Sequence, residues 1–305
     1  MDDIDLIYIA GYGRSGSTLL DITVSNDSSC TSIGAGAHVF EWFVNDGQCA
    51  CGDPVRRCPI WSRVGSRIDE TFPDRDMIDL LRIQRRVEGR RRYLLPWPGR
   101  GVRRADWDVY RRANRLVLEE VSRAAGVKAI VDSSGTSGQC MGRAGALSRL
   151  DGVNVKLMKL TRDPRAVVSS ALRKPGSPER EQSRLPPLLQ TVKVALSWSL
   201  SSAASDRIGS RPEIVPCRIR YEDFVRSPTD ELERMARELE LDFGSVIGRL
   251  ENGEPLRPRH NIAGNRLRFE EAIHIRSNTS YSLDSPYFAV ASALTLPLRR
   301  LYRYD

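Results

Sequence analysis

Leu6-Ile7-Tyr8-Ile9-Ala10-Gly11-Tyr12-Gly13-Arg14-Ser15-Gly16-Ser17-Thr18-Leu19-Leu20 is the stretch whose reading decides the fold. The first five residues form a short apolar run, which suits a buried strand. The glycines that follow let the backbone fold tightly and present successive N–H groups to an anion. From Ser17 to Val24 the pattern reads as a helix, and a helix N-terminus adds partial positive charge to that anion site. Ser15, Ser17 and Thr18 supply hydroxyl donors. Strand, glycine-rich loop and helix in this order make a phosphate cradle.

Working outward, Lys128–Asp132 reads as a second strand and Val153–Leu160 as a third, followed by a helix over Pro164–Leu172. Ile214–Ile219 reads as a fourth strand. Short apolar strands alternating with helices predict an α/β fold with a central parallel sheet flanked by helices. No repeat and no low-complexity linker divides residues 1–305, so one domain is expected. Residues 78–125 read as an Arg-rich helical hairpin inserted beside the sheet, broken at Pro96-Trp97-Pro98-Gly99. Residues 174–187 have the composition of a mobile loop, a class that often covers binding sites. Trp198 sits on a long helix and reads as core.

The cradle also invites comparison with triphosphate-binding loops of pattern GxxxxGK[ST]. Gly11 and Gly16 have that spacing and Thr18 occupies the hydroxyl position, but Ser17 stands where the lysine belongs. A cation comes earlier, at Arg14. Loss of the lysine speaks against a kinase or NTPase. Asp132 at a strand end keeps that alternative open as a magnesium-binding carboxylate.

Residues 13–20 resemble the 5′-phosphosulfate loop of sulfotransferases that use 3′-phosphoadenosine 5′-phosphosulfate (PAPS). Leu160-Thr161-Arg162-Asp163-Pro164-Arg165-Ala166-Val167-Val168-Ser169-Ser170 is similar to the family's 3′-phosphate motif. Arg220-Tyr221-Glu222-Asp223-Phe224 resembles its Tyr-Glu-Asp segment, and residues 260–269 resemble the C-terminal loop of bacterial members. The resemblance implies a P-loop-like sulfotransferase fold, in which residues 255–282 close over the nucleotide. It implies PAPS as donor and 3′,5′-adenosine bisphosphate (PAP) as product. The implied cofactor contacts are Gly13, Arg14, Ser15, Gly16, Ser17, Thr18 and Leu19 in the first loop. Arg162 and Ser170 are implied at the 3′-phosphate, Tyr221 at the adenine side, and Gly264, Asn265 and Arg268 in the cover.

Sulfuryl transfer requires a cation at the leaving phosphate and a base for the acceptor's proton. Arg14 takes the place of the family's loop lysine. Many relatives carry their base in a Gly-Glu pair, whereas this chain reads Ile33-Gly34-Ala35-Gly36-Ala37-His38-Val39-Phe40-Glu41. The glutamate position falls on Ala37, with Ala35 also fitting. Three explanations compete: a substituted, base-deficient variant at Ala37, His38 as base, or Glu41 reaching in from one turn further. A non-catalytic PAP-binding module is the remaining alternative, because a binder needs no base. His260 is read as structural or nucleotide-contacting and His274 as unremarkable surface or core. Asp132-Ser133-Ser134 lies where open α/β sheets place their ligand crevice, or else caps the next helix.

The 305 residues carry 47 basic and 39 acidic side chains, a net charge of +8. Only five of the basic residues are lysine, so 42 are arginine. Arginine suits forked contacts to phosphate and sulfate, although GC-rich coding also favours it. No basic stripe interleaved with aromatics suggests nucleic acid. No apolar run approaches the roughly 20 residues of a membrane span. The acidic start Met1-Asp2-Asp3-Ile4-Asp5 lacks the features of a signal peptide, so a cytoplasmic protein is expected. Cys49-Ala50-Cys51-Gly52 and Cys58-Pro59 form a cluster similar to one in the bacterial branch. With CxC spacing and no local fourth ligand, a turn with a local disulfide or free buried thiols is favoured, a metal is the lesser option, and no metal ligands are assigned. The acceptor is expected to be a small metabolite or natural product. Tyr93, Trp97 and Trp107 are candidate walls for an apolar acceptor, and Arg91, Arg92 and Arg103 are candidate contacts for an acidic one. A packed hairpin with a solvated basic face accounts for the same residues. Oligomeric state is not indicated.

Overall fold

The computed structural model describes residues 3–89, 101–172, 185–277 and 279–304. Five parallel strands form one sheet in the order β2-β3-β1-β4-β5. They are β1 (Ile4–Ala10), β2 (Cys30–Gly34), β3 (Ala129–Asp132), β4 (Val153–Thr161) and β5 (Ile214–Arg220). β1 lies in the middle, pairing with β3 from Asp5↔Ala129 and with β4 from Ile4↔Val153.

Alternation along β1 explains the layers. Leu6, Tyr8 and Ala10 face one buried cluster, whereas Ile7 and Ile9 face another. On the first face lie α2 (Val39–Asn45), α3 (Trp61–Thr71), α4 (Met77–Glu88) and α5 (Arg104–Ala125). On the second lie α1 (Ser17–Ser25), α9 (Tyr221–Arg226), α10 (Pro228–Leu239) and α11 (Gly244–Glu251). A sheet covered on both faces needs strands apolar on both faces, as β1 is. Ile7 and Ile9 are fully buried, and each such side chain contributes about 1.5–3 kcal/mol. The remaining helices are α6 (Arg143–Leu147), α7 (Pro164–Leu172), α8 (Pro187–Gly209) and α12 (Ser285–Leu301). α7, α8 and α12 share a third cluster, in which Trp198 packs edge-on against Tyr302 with ring centroids 5.9 Å apart.

Strand β2 has no counterpart in the sequence reading, and neither does α12. The hairpin expected over 78–125 is represented by α4 and α5. Its break, with Arg91, Arg92, Tyr93 and Trp97, lies outside the described residues, as does most of the loop expected over 174–187. Trp107 is buried and stacked on Tyr110 at 5.6 Å, so it belongs to the core and is not a pocket wall. Arg103 is paired with Asp106 at 3.0 Å. Among the described residues, no helix is long and apolar enough to cross a membrane.

Candidate active site

The chain leaves β1 through α1 toward β2 on one side, and leaves β4 through α7 and α8 toward β5 on the other. The crevice between β1 and β4, at the C-terminal ends of both strands, is therefore the switch point of the sheet, where open α/β folds bind ligands. The glycine loop occupies it. Gly11 has φ +145°, and a Cβ there would lie 2.4 Å from the Leu160 carbonyl oxygen of β4, so only glycine lets the two strands exit side by side. Gly16 precedes α1 with φ +98°, and no side chain caps the first turn of that helix. The Leu19 and Leu20 amides donate to the Gly16 carbonyl, so it is the Ser17 and Thr18 amides that face no capping side chain and suit an anion. The Ser15 hydroxyl is buried and has no hydrogen-bond partner. A buried orphan hydroxyl inside an amide-lined turn fits an absent acceptor such as a phosphate oxygen.

Arg162, just past the end of β4, reaches back to this loop. Its Nη1 donates to the Arg14 carbonyl oxygen at 3.1 Å, and its guanidinium carbon lies 4.4 Å from the centre of the Tyr221 ring. That ring also packs on the loop, since a Cβ on Gly16 would approach Tyr221 Cδ2 to 2.4 Å. Arg14 has φ +71°, and its Nη1 donates to the Ser170 carbonyl oxygen at 3.3 Å. Four residues from four separate elements, Arg14, Arg162, Ser170 and Tyr221, thus meet around one crevice.

The cover comes from the C-terminal segment. The Asn265 amide donates to Thr18 Oγ1 at 3.3 Å, and a Cβ on Gly264 (φ +105°) would lie 3.5 Å from the same oxygen. Ile262 bridges Gly34, and its carbonyl accepts from the Ala35 amide at 3.0 Å. Arg268 sits elsewhere than the sequence placed it. It is buried, its Nη1 donates to the Gln48 carbonyl at 3.1 Å, and its guanidinium packs on the rings of Phe269 and Trp42. It braces the cysteine-bearing turn against α2.

On the other flank, the segment after β3 ties the loop to the expected base region. Thr136 donates its amide to the Gly11 carbonyl at 2.9 Å, and its hydroxyl accepts from the Gly11 amide at 3.2 Å. Ser134 Oγ accepts from the Ala37 amide at 2.8 Å. Ser133 and Ser134 do not cap a helix: their hydroxyls donate to Asp21 and to Asp132. Asp21 is buried, and desolvation pushes its carboxyl up to about 6 although Ser133 and Asn261 hydrogen-bond to it. Asp132 is fully buried and paired with Arg143 Nε at 2.9 Å, while Arg143 also pairs with Glu88. The carboxylate that a magnesium-dependent reading requires is therefore enclosed in an ion pair.

His38 and Glu41, which the sequence offers as rival bases, touch one another. His38 Nδ1 lies 2.9 Å from Glu41 Oε2, and Glu41 Oε1 accepts from Arg85 at 3.2 Å. The pair is partly exposed, with His38 at 42% and Glu41 at 32% side-chain accessibility. Occupation of Nδ1 leaves Nε2 for a third group.

Two solved structures share this architecture. The sulfotransferase domain from the curacin biosynthetic pathway aligns with a TM-score of 0.50 at 16% identity, covering 98% of each chain. A sulfotransferase from Mycobacterium tuberculosis aligns with a TM-score of 0.50 at 12% identity, covering 97% of this chain and 77% of that one. The chain has the bacterial sulfotransferase fold. No protein-family model matches the sequence, and no curated protein matches it. With β1 at the centre of the sheet, residues 148 and 156 positions apart meet at one crevice.

The cysteine cluster corrects the sequence reading in one respect. Its fourth candidate ligand exists, but it is distant in the chain: His260 joins Cys49, Cys51 and Cys58. No disulfide joins any of the six cysteines, so of the two expectations, a local disulfide or free buried thiols, the structure has the second for Cys49 and Cys58, while Cys51 is exposed. Spacing alone could not show a partner some 200 residues away.

Proposed function

We propose that the chain is a sulfotransferase that moves a sulfuryl group from PAPS to a hydroxyl or amine of a small-molecule acceptor and releases PAP. The observation that carries this reading is the junction of the glycine loop with Arg162 over the Tyr221 ring, with the Ser15 hydroxyl buried and unpartnered beside it. Two candidate anion-binding motifs that meet beside one aromatic ring suit a nucleotide phosphorylated at both ends. PAPS supplies an activated sulfuryl group on a phosphate leaving group.

The loop of residues 13–19, through amides such as those of Ser17 and Thr18 and the hydroxyls of Ser15, Ser17 and Thr18, holds the 5′-phosphate. Arg162 and Ser170 hold the 3′-phosphate, and Tyr221 contacts the adenine side. Gly264 and Asn265 close over Thr18, while Arg268 supports the cover from behind. Arg14 is a permanent cation at the loop, its Nη1 donating to Ser170 O. Its positive charge stabilises negative charge growing on the departing phosphate oxygen. Neutral His38 accepts the acceptor's proton at Nε2 while Glu41 fixes the ring through Nδ1. No glutamate stands at Ala37, so His38 carries the proton transfer in this chain. The missing loop lysine and the enclosed Asp132 favour a sulfate donor over ATP–magnesium.

Thermal-shift measurements with PAP, with ATP–magnesium and with neither test the donor. PAP is expected to raise the midpoint and ATP–magnesium is not. Stabilisation by ATP–magnesium alone would overturn the assignment. Stabilisation by PAP without sulfation of any member of a phenol, alcohol and amine panel would identify a binding module instead.

A further inference from the structure

Cys49, Cys51, Cys58 and His260 each offer one ligand atom, and these four atoms all lie within 4.8 Å of one another. We propose that they form a closed tetrahedral zinc site. A zinc ion with Zn–S of about 2.3 Å and Zn–N of about 2.0–2.1 Å sets ligand–ligand edges of roughly 3.6–3.8 Å. Cys49 Sγ and Cys58 Sγ are 3.7 Å apart, and Cys58 Sγ is 3.2 Å from His260 Nδ1. The sulfur separation is far beyond the roughly 2.05 Å of a disulfide, yet it matches two corners of a metal tetrahedron.

The backbone is built to present these atoms. Gln48 and Pro54 bridge as an antiparallel pair, the Cys49 amide donates to Asp53 O at 2.8 Å, and the Gly52 amide returns to Cys49 O at 3.0 Å. Gly52, with φ +95°, permits this tight knuckle, which brings two thiols out of three residues to one side. Cys58 lies just before α3, and the Ser62 amide donates back to its carbonyl. His260 is pinned on both sides: Trp61 Nε1 donates to its carbonyl at 2.7 Å, and the Ala50 amide donates to Asn261 O at 3.0 Å. A histidine from the far end of the chain is thus anchored to the same knuckle and the same helix that carry the three thiols.

The donor set selects the metal. Three thiolates and an imidazole in a tetrahedron favour zinc over magnesium or calcium, which take oxygen ligands. Four protein ligands leave no open position, so the ion is structural and takes no part in transfer chemistry. Binding releases three thiol protons to solvent and leaves a centre of net charge −1. Arg268, buried and bonded to Gln48 O beside Cys49, supplies a neighbouring cation. The site fastens the residue 260–265 segment to the knuckle irrespective of what the crevice binds.

Metal analysis of the intact purified chain tests this directly. About one zinc per chain is expected, with cobalt substitution giving the intense visible bands of tetrahedral cobalt and thiolate-to-cobalt charge transfer. Cys51 is exposed, so Cys51→Ser is expected to fold, and chelator competition should show zinc held about 100-fold more weakly or worse. Far-UV circular dichroism checks that folding, and the cobalt spectrum of the unmutated chain stands independently of any variant. The proposal is overturned by a folded chain that neither carries zinc nor takes up cobalt. It is equally overturned by a cobalt spectrum without thiolate charge transfer, by unchanged zinc affinity in Cys51→Ser, or by a disulfide within the trio in protein purified anaerobically.

Discussion

Adding one methyl group at Gly16 tests the geometry on which the proposed nucleotide site rests. A Cβ there would meet Tyr221 Cδ2 at 2.4 Å and Cε2 at 2.5 Å, and the backbone has φ +98°. Gly16→Ala therefore combines two costs. Holding alanine at positive φ costs about 1–2 kcal/mol. Forcing the ring aside adds about 1–3 kcal/mol, as overpacking does elsewhere. Together these predict a stability loss of about 2–5 kcal/mol, read from the urea midpoint at unchanged slope. If the ring swings away to relieve the clash, Arg162 loses the face it rests on. That cation–π contact is worth about 0.5–2 kcal/mol, so PAP affinity by calorimetry should fall about 2- to 30-fold. Two controls separate the terms. Gly13→Ala places its Cβ with nothing within 4 Å and should be close to neutral for stability. In a Tyr221→Ala background, Gly16→Ala should retain only the backbone cost, which a double-mutant cycle reports as coupling. Equal cost of Gly16→Ala in both backgrounds would refute the contact, and a neutral Gly16→Ala would refute the whole argument.

Arg162→Ala should weaken PAP by at least about 10-fold in calorimetry, because a charged hydrogen bond contributes about 1.5–3 kcal/mol, and Arg162→Lys should recover only part of it. His38→Ala should lower kcat by about 10²–10⁴ with little change in KM, Glu41→Gln should lower it less, and Ala37→Glu should restore rate to the His38→Ala chain. A kcat unaffected by His38→Ala would remove the histidine from the mechanism. Asp21 has a folded carboxyl pushed up to about 6 against an ordinary 3.8, so its contribution is fully present below pH 3.8 and is lost as pH rises through 6. That difference corresponds to about 3 kcal/mol, so Asp21→Asn should flatten the decline in folding stability between pH 4 and 7. An identical pH profile for Asp21→Asn and the unmutated chain would show that this carboxyl is not desolvated as described.

Strands β1, β3, β4 and β5 were legible because each is a contiguous apolar run closed by a loop signal. β2 was not, because Cys30-Thr31-Ser32-Ile33-Gly34 carries polar side chains at its centre. Those side chains are buried and served locally: Ser32 Oγ accepts from the Gly34 amide and from Asn261. A buried edge strand satisfied by side-chain bonds has no apolar signature to read. The placing of the glycine loop between β1 and α1, and of Arg162 just after β4, was legible because glycine spacing and a strand-terminal arginine are local patterns. Arg268 was placed at the nucleotide because its motif lies in the cover. Its burial against Trp42 and Gln48 depends on a knuckle 220 residues earlier, beyond any local pattern. The bond between His38 and Glu41, by contrast, spans only three residues, a spacing at which side chains on a helical turn meet, and it makes one pair of two rival candidates.

Arg143 sets a limit on how this scaffold can be recombined. It sits 3% exposed between Asp132 of β3 and Glu88 at the end of α4, so that helix is wired to the sheet through one enclosed cation. A chimera that imports a foreign α4–α5 segment without a carboxylate at position 88 would leave that guanidinium half-neutralised in a low-dielectric interior. Swaps of this segment should therefore carry residues 88 and 143 as an inseparable couple, or exchange both for apolar side chains of matching volume.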